Sequence, residues 1–384
     1  MNAFSSPHKV GILGGGQLGK MLLYTTRKFD IYTCVIDPNP EAPCKIACDE
    51  FFVGDLMDFD TVFEFGKKVD TLTIEIENVN VEALRALEKE GVKVFPSADT
   101  LATIQNKAKQ KLFYVDHDLP TAAFTRYAYL DELKRAIEHD VQTVPFVWKS
   151  AKFGYDGKGV KIVRSLSDLE ELPNVECITE KLVPFKKELA VTVARSPKGE
   201  IRAYPVVEME FHPEANQVEY VLCPARISDH IAKKAERVAL KTAAAFHHVG
   251  LLAVELFLTE DDNILINEVA PRPHNSGHQT IEASYTSQFE QHIRAILDLP
   301  LGETKNKVSG VMVNLVGAEG YEGAVVYKNI ENILELDGVT PHIYGKKETR
   351  PFRKMGHVTI VHPEIDKARA IAQKVKETIK VISK

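Results

Sequence analysis

Residues 252–268 constrain this chain most. Two apolar runs rich in Leu, Ile and Val flank a polar tetrad, Glu260, Asp261, Asp262 and Asn263. The pattern reads as an antiparallel hairpin with Asp261 and Asp262 at its tip. Counting back one residue per side from Leu258 opposite Leu265 pairs Phe257 with Ile266, Leu256 with Asn267, and Glu255 with Glu268. Two carboxylates then face each other on one surface of the sheet, and like charges so placed repel unless something neutralises them. A solvated pair at a strand end is the plainer reading. Both glutamates are embedded in apolar sequence, however, which favours a bound cation. All-oxygen donors suit a hard ion, and Mg2+ shared between carboxylates and substrate phosphates is the usual arrangement with nucleotides. Arg272, His274, Asn275 and His278 follow in a Pro/Gly-rich loop, from which side chains can reach a ligand of that metal.

At 384 residues the chain exceeds a single core, so two or three domains are expected. With 48 basic and 54 acidic side chains the formal charge is -6, which disfavours a nucleic-acid surface. The N-terminal segment is short and polar, and no stretch approaches the ~18 apolar residues of a spanning helix. A cytoplasmic protein away from membranes is the expectation. The 5 cysteines are odd in number and scattered, so free thiols are expected rather than a disulfide framework.

Near the N-terminus the apolar run Lys9–Leu13 leads into Gly14, Gly15, Gly16, Gln17, Leu18 and Gly19, followed by a helical pattern, with Asp37 closing the next strand. This matches the dinucleotide fingerprint in its strand-turn-helix context and by itself points to NAD. The same glycines can hold any anion or simply pack, so an NAD oxidoreductase stands as the rival reading. A further α/β unit has a helix over 60–68 and a strand over 71–74. Glu75 and Glu77 at that strand's end stand where open α/β sheets bind ligands. Residues 98–116 read as one helix with Lys107, Lys109 and Lys111 spread around it, most of them solvated. The texture changes near Leu119: a helix over 131–139 and a strand over 146–149 precede a glycine-rich loop at 150–163, where Lys149, Lys152 and Lys158 can supply charge to a phosphate. Glu180 ends a strand, and the edge at 180–183 suits an adenine amine. The basic run 346–354 is a candidate anion clamp, using the fork of Arg350 or Arg353 and the point charge of Lys354.

Three motifs together are specific: Gly14 to Met21; Phe153-Gly-Tyr-Asp-Gly-Lys-Gly159; and Asn267-Glu-Val-Ala-Pro-Arg-Pro-His-Asn-Ser-Gly-His278. On these the chain resembles the ATP-grasp superfamily from end to end, and within it the 5-(carboxyamino)imidazole ribonucleotide synthase family. The resemblance implies a mixed α/β and α+β protein: an N-terminal Rossmann-like pre-ATP-grasp domain at 1–115, a small lid at 116–186, and an antiparallel-sheet domain with a small C-terminal subdomain at 187–384. Carried over by position, it implies that Lys107, Lys149, Gly154, Tyr155, Asp156, Gly157, Lys158 and Gly159 meet ATP phosphates. Glu180, Lys181, Leu182 and Val183 would meet the adenine and Glu188 the ribose, with Asn267 and Glu268 beside the nucleotide. Glu255 and Glu268 would hold Mg2+, with Mn2+ as an alternative. Tyr155, Asp156, Arg272, His274 and Asn275 would line the site for the acceptor and bicarbonate, and Lys347, Arg350 and Lys354 would meet the ribonucleotide phosphate.

The implied reaction is ATP-dependent carboxylation of 5-aminoimidazole ribonucleotide by bicarbonate, via carboxyphosphate, in purine biosynthesis. The expected partners are these small molecules, a second copy of the chain in a homodimer, and a downstream mutase on a separate protein, since this length leaves no room for one. Ala270 stands where many ATP-grasp enzymes carry Asn, which leaves a third metal ligand open. The nearest competitor within the superfamily is the formate-using glycinamide ribonucleotide transformylase. Its lid is serine-rich where this chain has Tyr155 and Asp156.

Overall fold

The structure, a computed structural model, describes residue 4 and residues 7–152, 159–213 and 217–384. Its N-terminal sheet is wholly parallel, in the order Glu50–Val53, Tyr32–Asp37, Lys9–Leu13, Thr71–Ile74, Lys93–Phe95. Helices cover both faces of the sheet, so Val10, Ile12, Leu13, Val35 and Leu72 are fully or almost fully buried, as continuous apolar runs in parallel strands require.

The crevice where the strand order reverses lies between Lys9–Leu13 and Thr71–Ile74, the place where such sheets bind ligands. Here the anion position is filled from within. The Glu75 carboxylate accepts hydrogen bonds from the backbone N–H of Gly16 at 2.8 Å, Leu18 at 3.0 Å and Gly19 at 3.0 Å. These are the free donors at the start of helix Gln17–Lys28. A Cβ at Gly16 would lie 2.4 Å from Glu75 Oε1, and one at Gly14 2.6 Å from Glu75 Cγ. The glycines therefore admit the protein's own carboxylate rather than a pyrophosphate. Asp37, expected at a ribose, accepts instead from the N–H groups of Gly15 and Asn39. The NAD reading fails on both counts, and Glu75 is structural.

Residues 98–116 form two helices rather than one, Ala98–Ile104 and Lys107–Asp116. Asn106 breaks the run because its side chain caps the second helix, accepting from the Lys109 N–H at 3.0 Å. The small sheet that follows is antiparallel, in the order Phe124–Tyr127, Cys177–Lys181, Phe146–Ser150, Val160–Val163. Its core is Trp148, Phe146 and Tyr127 against Leu130 and Leu133 of helix Leu130–Glu138.

The large sheet is antiparallel throughout. It runs Ile264–Ala270, Gly250–Thr259, Phe185–Arg195, Val207–Phe211, Val218–Cys223, Gly310–Val316, Lys354–Val361, Val339–Ile343, with Ile201–Ala203 added beside Phe185–Arg195. Helix Asp229–Ala245 lays Ile231, Ala235, Ala239 and Ala243 on it at four-residue spacing. Helix Ile365–Thr378 does the same with Ala368, Ala372 and Val375 at the C-terminal end. A buried histidine joins this sheet to the N-terminal one. His292 Nδ1 accepts from the Leu251 N–H, so Nε2 carries the proton and meets Thr73 Oγ1 at 2.8 Å. Burial pushes His292 down to about 3, which keeps the ring neutral. Among the described residues no helix is long and apolar enough to cross a membrane.

Glu75→Ala strips the carboxylate from three backbone donors. It should lower the free energy of unfolding by about 3 kcal/mol, at roughly 1 kcal/mol for each donor left without a partner. Urea denaturation measures this, and a loss under about 0.5 kcal/mol would mean that water replaces the carboxylate without cost.

Candidate active site

Strands Gly250–Thr259 and Ile264–Ala270 pair as a hairpin, and Glu255 faces Glu268. The intermediate register differs from simple counting. Leu258 pairs with Ile264, Phe257 with Leu265 and Leu256 with Ile266, and the ladder then shifts by one residue before Glu255. Asn267 is the extra residue, so a bulge brings the two carboxylates into opposition. The same bulge aims the Asn267 side chain sideways, where its Oδ1 accepts from Lys149 Nζ at 3.0 Å.

Cations converge on this pair from neighbouring elements. Lys107, in the first turn of helix Lys107–Asp116, places Nζ 2.6 Å from Glu268 Oε2. Lys149, on the small sheet's strand Phe146–Ser150, reaches Glu180 Oε1 at 3.1 Å as well as Asn267. His274 Nε2 lies 3.4 Å from Glu255 Oε1. Because His274 Nδ1 accepts from the Ser276 N–H, Nε2 carries the ring proton and presents it to Glu255. Burial first, and the facing Glu268 second, push Glu255 above the usual carboxylate range, whereas the Lys107 ammonium holds Glu268 well below it. Glu188, on strand Phe185–Arg195, is pushed by burial up to about 7 against the pull of Lys149.

Of the residues expected from sequence, the structure thus joins Lys107, Lys149, Glu180, Glu255, Asn267, Glu268 and His274 by ion pairs, hydrogen bonds and strand pairing, with Glu188 near enough to feel the charges of Lys149 and Glu268. Lys181 has its N–H bonded to Ala123 O at 2.8 Å, while Leu182 and Val183 lie in the link to strand Phe185–Arg195. Gly159 ends the glycine-rich segment with a φ of 74° and accepts from the Ser150 N–H. Gly154, Tyr155, Asp156, Gly157 and Lys158 lie outside the described residues. Arg272 turns towards the N-terminal sheet, its Nε 2.9 Å from Glu77 Oε2, so two expected residues meet there. Asn275 is buried, and neither atom of its amide has a hydrogen-bond partner among the described residues. In the basic run, Lys354 lies close enough to act on the charge of Glu255, Lys347 acts on Glu41 of the N-terminal domain, and Arg350 is exposed.

The donor set at the hairpin fits a hard divalent cation. Two opposed carboxylates supply oxygen, and among the described residues no group of three His, Cys, Asp or Glu side chains could complete a metal shell. An ion held by Glu255 and Glu268 would take its remaining ligands from phosphates and water, as Mg2+ does at nucleotide sites.

Sequence reasoning missed Gln288, a fully buried side chain at the start of helix Gln288–Ile296. Its Oε1 accepts from the His274 N–H, and its Nε2 reaches both His274 O and His278 Nδ1. Only the burial of a glutamine beside the Pro/Gly loop betrays this role, and burial is a tertiary property. Gln288→Leu should speed amide exchange across residues 274–278 by about tenfold or more, since each lost hydrogen bond is worth roughly 1 kcal/mol. Hydrogen–deuterium exchange read by mass spectrometry checks this, and unchanged exchange would mean that the loop is held by other contacts.

Three family models match this chain. An ATP-grasp domain matches residues 112–289, a ribonucleotide synthetase preATP-grasp domain residues 8–105, and a phosphoribosylaminoimidazole carboxylase C-terminal domain residues 310–371. The N5-carboxyaminoimidazole ribonucleotide synthase of Bacillus subtilis is 38% identical over 95% of this chain and 94% of its own length. The chloroplastic phosphoribosylaminoimidazole carboxylase of Vigna aconitifolia is also 38% identical, over 92% of this chain, but the chain spans only 64% of that longer protein. Among solved structures, N5-carboxyaminoimidazole ribonucleotide synthetase from Thermotoga maritima superposes with a TM-score of 0.90 at 42% identity, covering 98% of this chain and 100% of that one. The Aspergillus clavatus N5-carboxyaminoimidazole synthase, solved with ADP and 5-aminoimidazole ribonucleotide, superposes with a TM-score of 0.88 at 35% identity, covering 98% of this chain and 99% of that one. With identity and fold both running nearly end to end, the chain belongs to the N5-carboxyaminoimidazole ribonucleotide synthase family of ATP-grasp proteins.

Proposed function

We propose that this chain carboxylates the exocyclic amine of 5-aminoimidazole ribonucleotide with bicarbonate at the expense of ATP. The observation that carries this reading is the opposed Glu255 and Glu268 pair with Lys107 and Lys149 at its side. It provides a cation-rich cleft for phosphoryl transfer, in a chain whose Aspergillus relative holds ADP and the aminoimidazole ribonucleotide.

A bicarbonate oxygen attacks the γ-phosphorus, and the bond to the β–γ bridging oxygen breaks to release ADP. The resulting carboxyphosphate splits into CO2 and phosphate. The amine nitrogen then bonds to the CO2 carbon and gives up a proton. Lys107 and Lys149 offset charge on the transferring group, and Glu188 meets the ribose hydroxyls. Mg2+, or Mn2+ in its place, would be held by Glu255 and Glu268 and would neutralise phosphate charge there. His274, with its proton fixed on Nε2, and the unpaired amide of Asn275 face the acceptor and bicarbonate together with Arg272. Tyr155 and Asp156 join them in this reading, and Gly154, Gly157, Lys158 and Gly159 close over the phosphates, excluding water from an anhydride that hydrolyses readily. Glu180 to Val183 hold the adenine, and Lys347, Arg350 and Lys354 the ribonucleotide phosphate. The active species is a homodimer, and a mutase takes the product.

Purified protein with Mg-ATP should release ADP when given aminoimidazole ribonucleotide and bicarbonate, and not with glycinamide ribonucleotide and formate. Turnover with the second pair alone would replace the acceptor assignment while leaving the nucleotide site in place. Glu268→Gln should keep the circular dichroism of the parent and lose at least about 100-fold in turnover, a typical cost of removing one charge-stabilising group. Undiminished ATP hydrolysis in that variant would remove the metal assignment.

A further inference from the structure

Helix Lys107–Asp116 carries a second lysine one turn beyond Lys107, and spacing of four residues sets both on one face. The sequence pattern expects most lysines of this helix in solvent, yet the Lys111 side chain is only 2% exposed. Burial of an ammonium costs several kcal/mol unless it is fully paired, so its partners show what it is there for. Lys111 Nζ donates to Thr121 Oγ1 at 2.6 Å and lies 3.2 Å from Glu180 Oε1. The Thr121 hydroxyl spends its own proton on Ile266 O at 2.9 Å, so it can only accept from the lysine. Lys149 reaches the same oxygen, Glu180 Oε1, from the other side at 3.1 Å. Glu180 is itself 4% exposed in its side chain. Its Oε1, which both ammonium groups approach, is shut off from solvent, and neither approach has hydrogen-bond geometry.

Two ammonium groups hold Oε1 by charge, which leaves Oε2 as the oxygen that a ligand can approach. We infer that Lys111 is a positioning residue, which fixes Glu180 so that Oε2 receives the exocyclic amine of the purine and so selects a 6-amino over a 6-oxo nucleotide. The inference rests on the reading above that Glu180 meets the adenine. A carbonyl at that position would set oxygen against a carboxylate held in place. A site built to accept a hydrogen bond rejects an analogue that cannot donate one, because the buried acceptor stays unpaired. Lys149 cannot hold the orientation alone, since it also serves Asn267.

ATP and ITP differ in this group and in the proton that the 6-oxo base carries on N1, and comparing their ratio between variants isolates the contact at position 6. Their kcat/KM ratio should fall about tenfold in Lys111→Met, mostly through a higher KM for ATP. Thr121→Val, which removes only the hydroxyl that seats Lys111, should lower the ratio by about threefold and decides the matter if Lys111→Met does not fold. Glu180→Gln, whose amide can donate to a 6-oxo group, is the reference. If Glu180→Gln lowers the ratio and neither other variant does, Lys111 is merely structural and the inference fails. If the ratio is unmoved in all three, Glu180 is not at the base, and the adenine assignment fails with it.

Discussion

The mutual repulsion of Glu255 and Glu268 is the constraint around which the molecule is arranged. Two carboxylates opposite each other in a mostly apolar hairpin are tolerated only with positive charge at hand. The chain supplies it from separate elements: Lys107 from the helix leading out of the N-terminal domain, Lys149 from the small sheet, and Lys354 from the C-terminal strands. The Lys107 contact at 2.6 Å shows how far this goes, because an ammonium stands against the carboxylate that the proposed metal would share. In the proposed function a cation would replace Lys107 as the partner of Glu268, and Lys107 would turn to phosphoryl oxygens. In the proposed function, the charge balance around this pair would serve a triphosphate as well as the fold.

The hairpin also shows what could be read from sequence and what could not. The opposition of Glu255 and Glu268 was legible, but only because two errors cancelled. The turn is one residue shorter in register than counting assumed, and the bulge at Asn267 restores the pairing. A bulge is set by what its freed side chain meets, here Lys149 from another sheet, so no local pattern announces it. The same limit explains Glu75, Lys111 and Gln288. Their residue types suggested solvent or ligand, and each is buried and bonded to backbone or side chains distant in sequence. The motifs that did declare themselves, at 153–159 and 267–278, carry their chemistry in contiguous residues. The glycine fingerprint failed for a physical reason: a carboxylate on the neighbouring strand satisfies the helix N-terminus as well as a phosphate does.

Filling that anion site from within changes what the N-terminal domain contributes. Its contacts with the rest of the chain near this point are made by side chains, Glu77 and Thr73 among them. Glu77 ties down Arg272, and Thr73 meets His292, so the loop 272–278 is braced from the N-terminal side while Gln288 braces it from the other. With the backbone donors of residues 16, 18 and 19 already taken, the proposed ribonucleotide phosphate would need positive charge from elsewhere, and Lys347 of the basic run lies near Glu41 of the N-terminal domain.

The link between nucleotide and metal is equally direct. Pro120 O accepts from the Ile266 N–H at 2.7 Å, and Thr121 bonds Ile266 O, so the segment entering the small sheet is stitched to the strand that carries Glu268. Lys149 repeats the connection from the sheet itself, with Glu180 on one side and Asn267 on the other. In the proposed function, a base against Glu180 and a triphosphate along Lys149 would therefore act on the same strand. Movement of the small sheet cannot leave the Glu255 and Glu268 pair untouched, because the residues that would read the base share hydrogen bonds with the residues that would hold the metal. Catalysis by charge neutralisation needs its charges fixed to within fractions of an ångström. This stitching ties that precision to nucleotide binding rather than to either sheet alone.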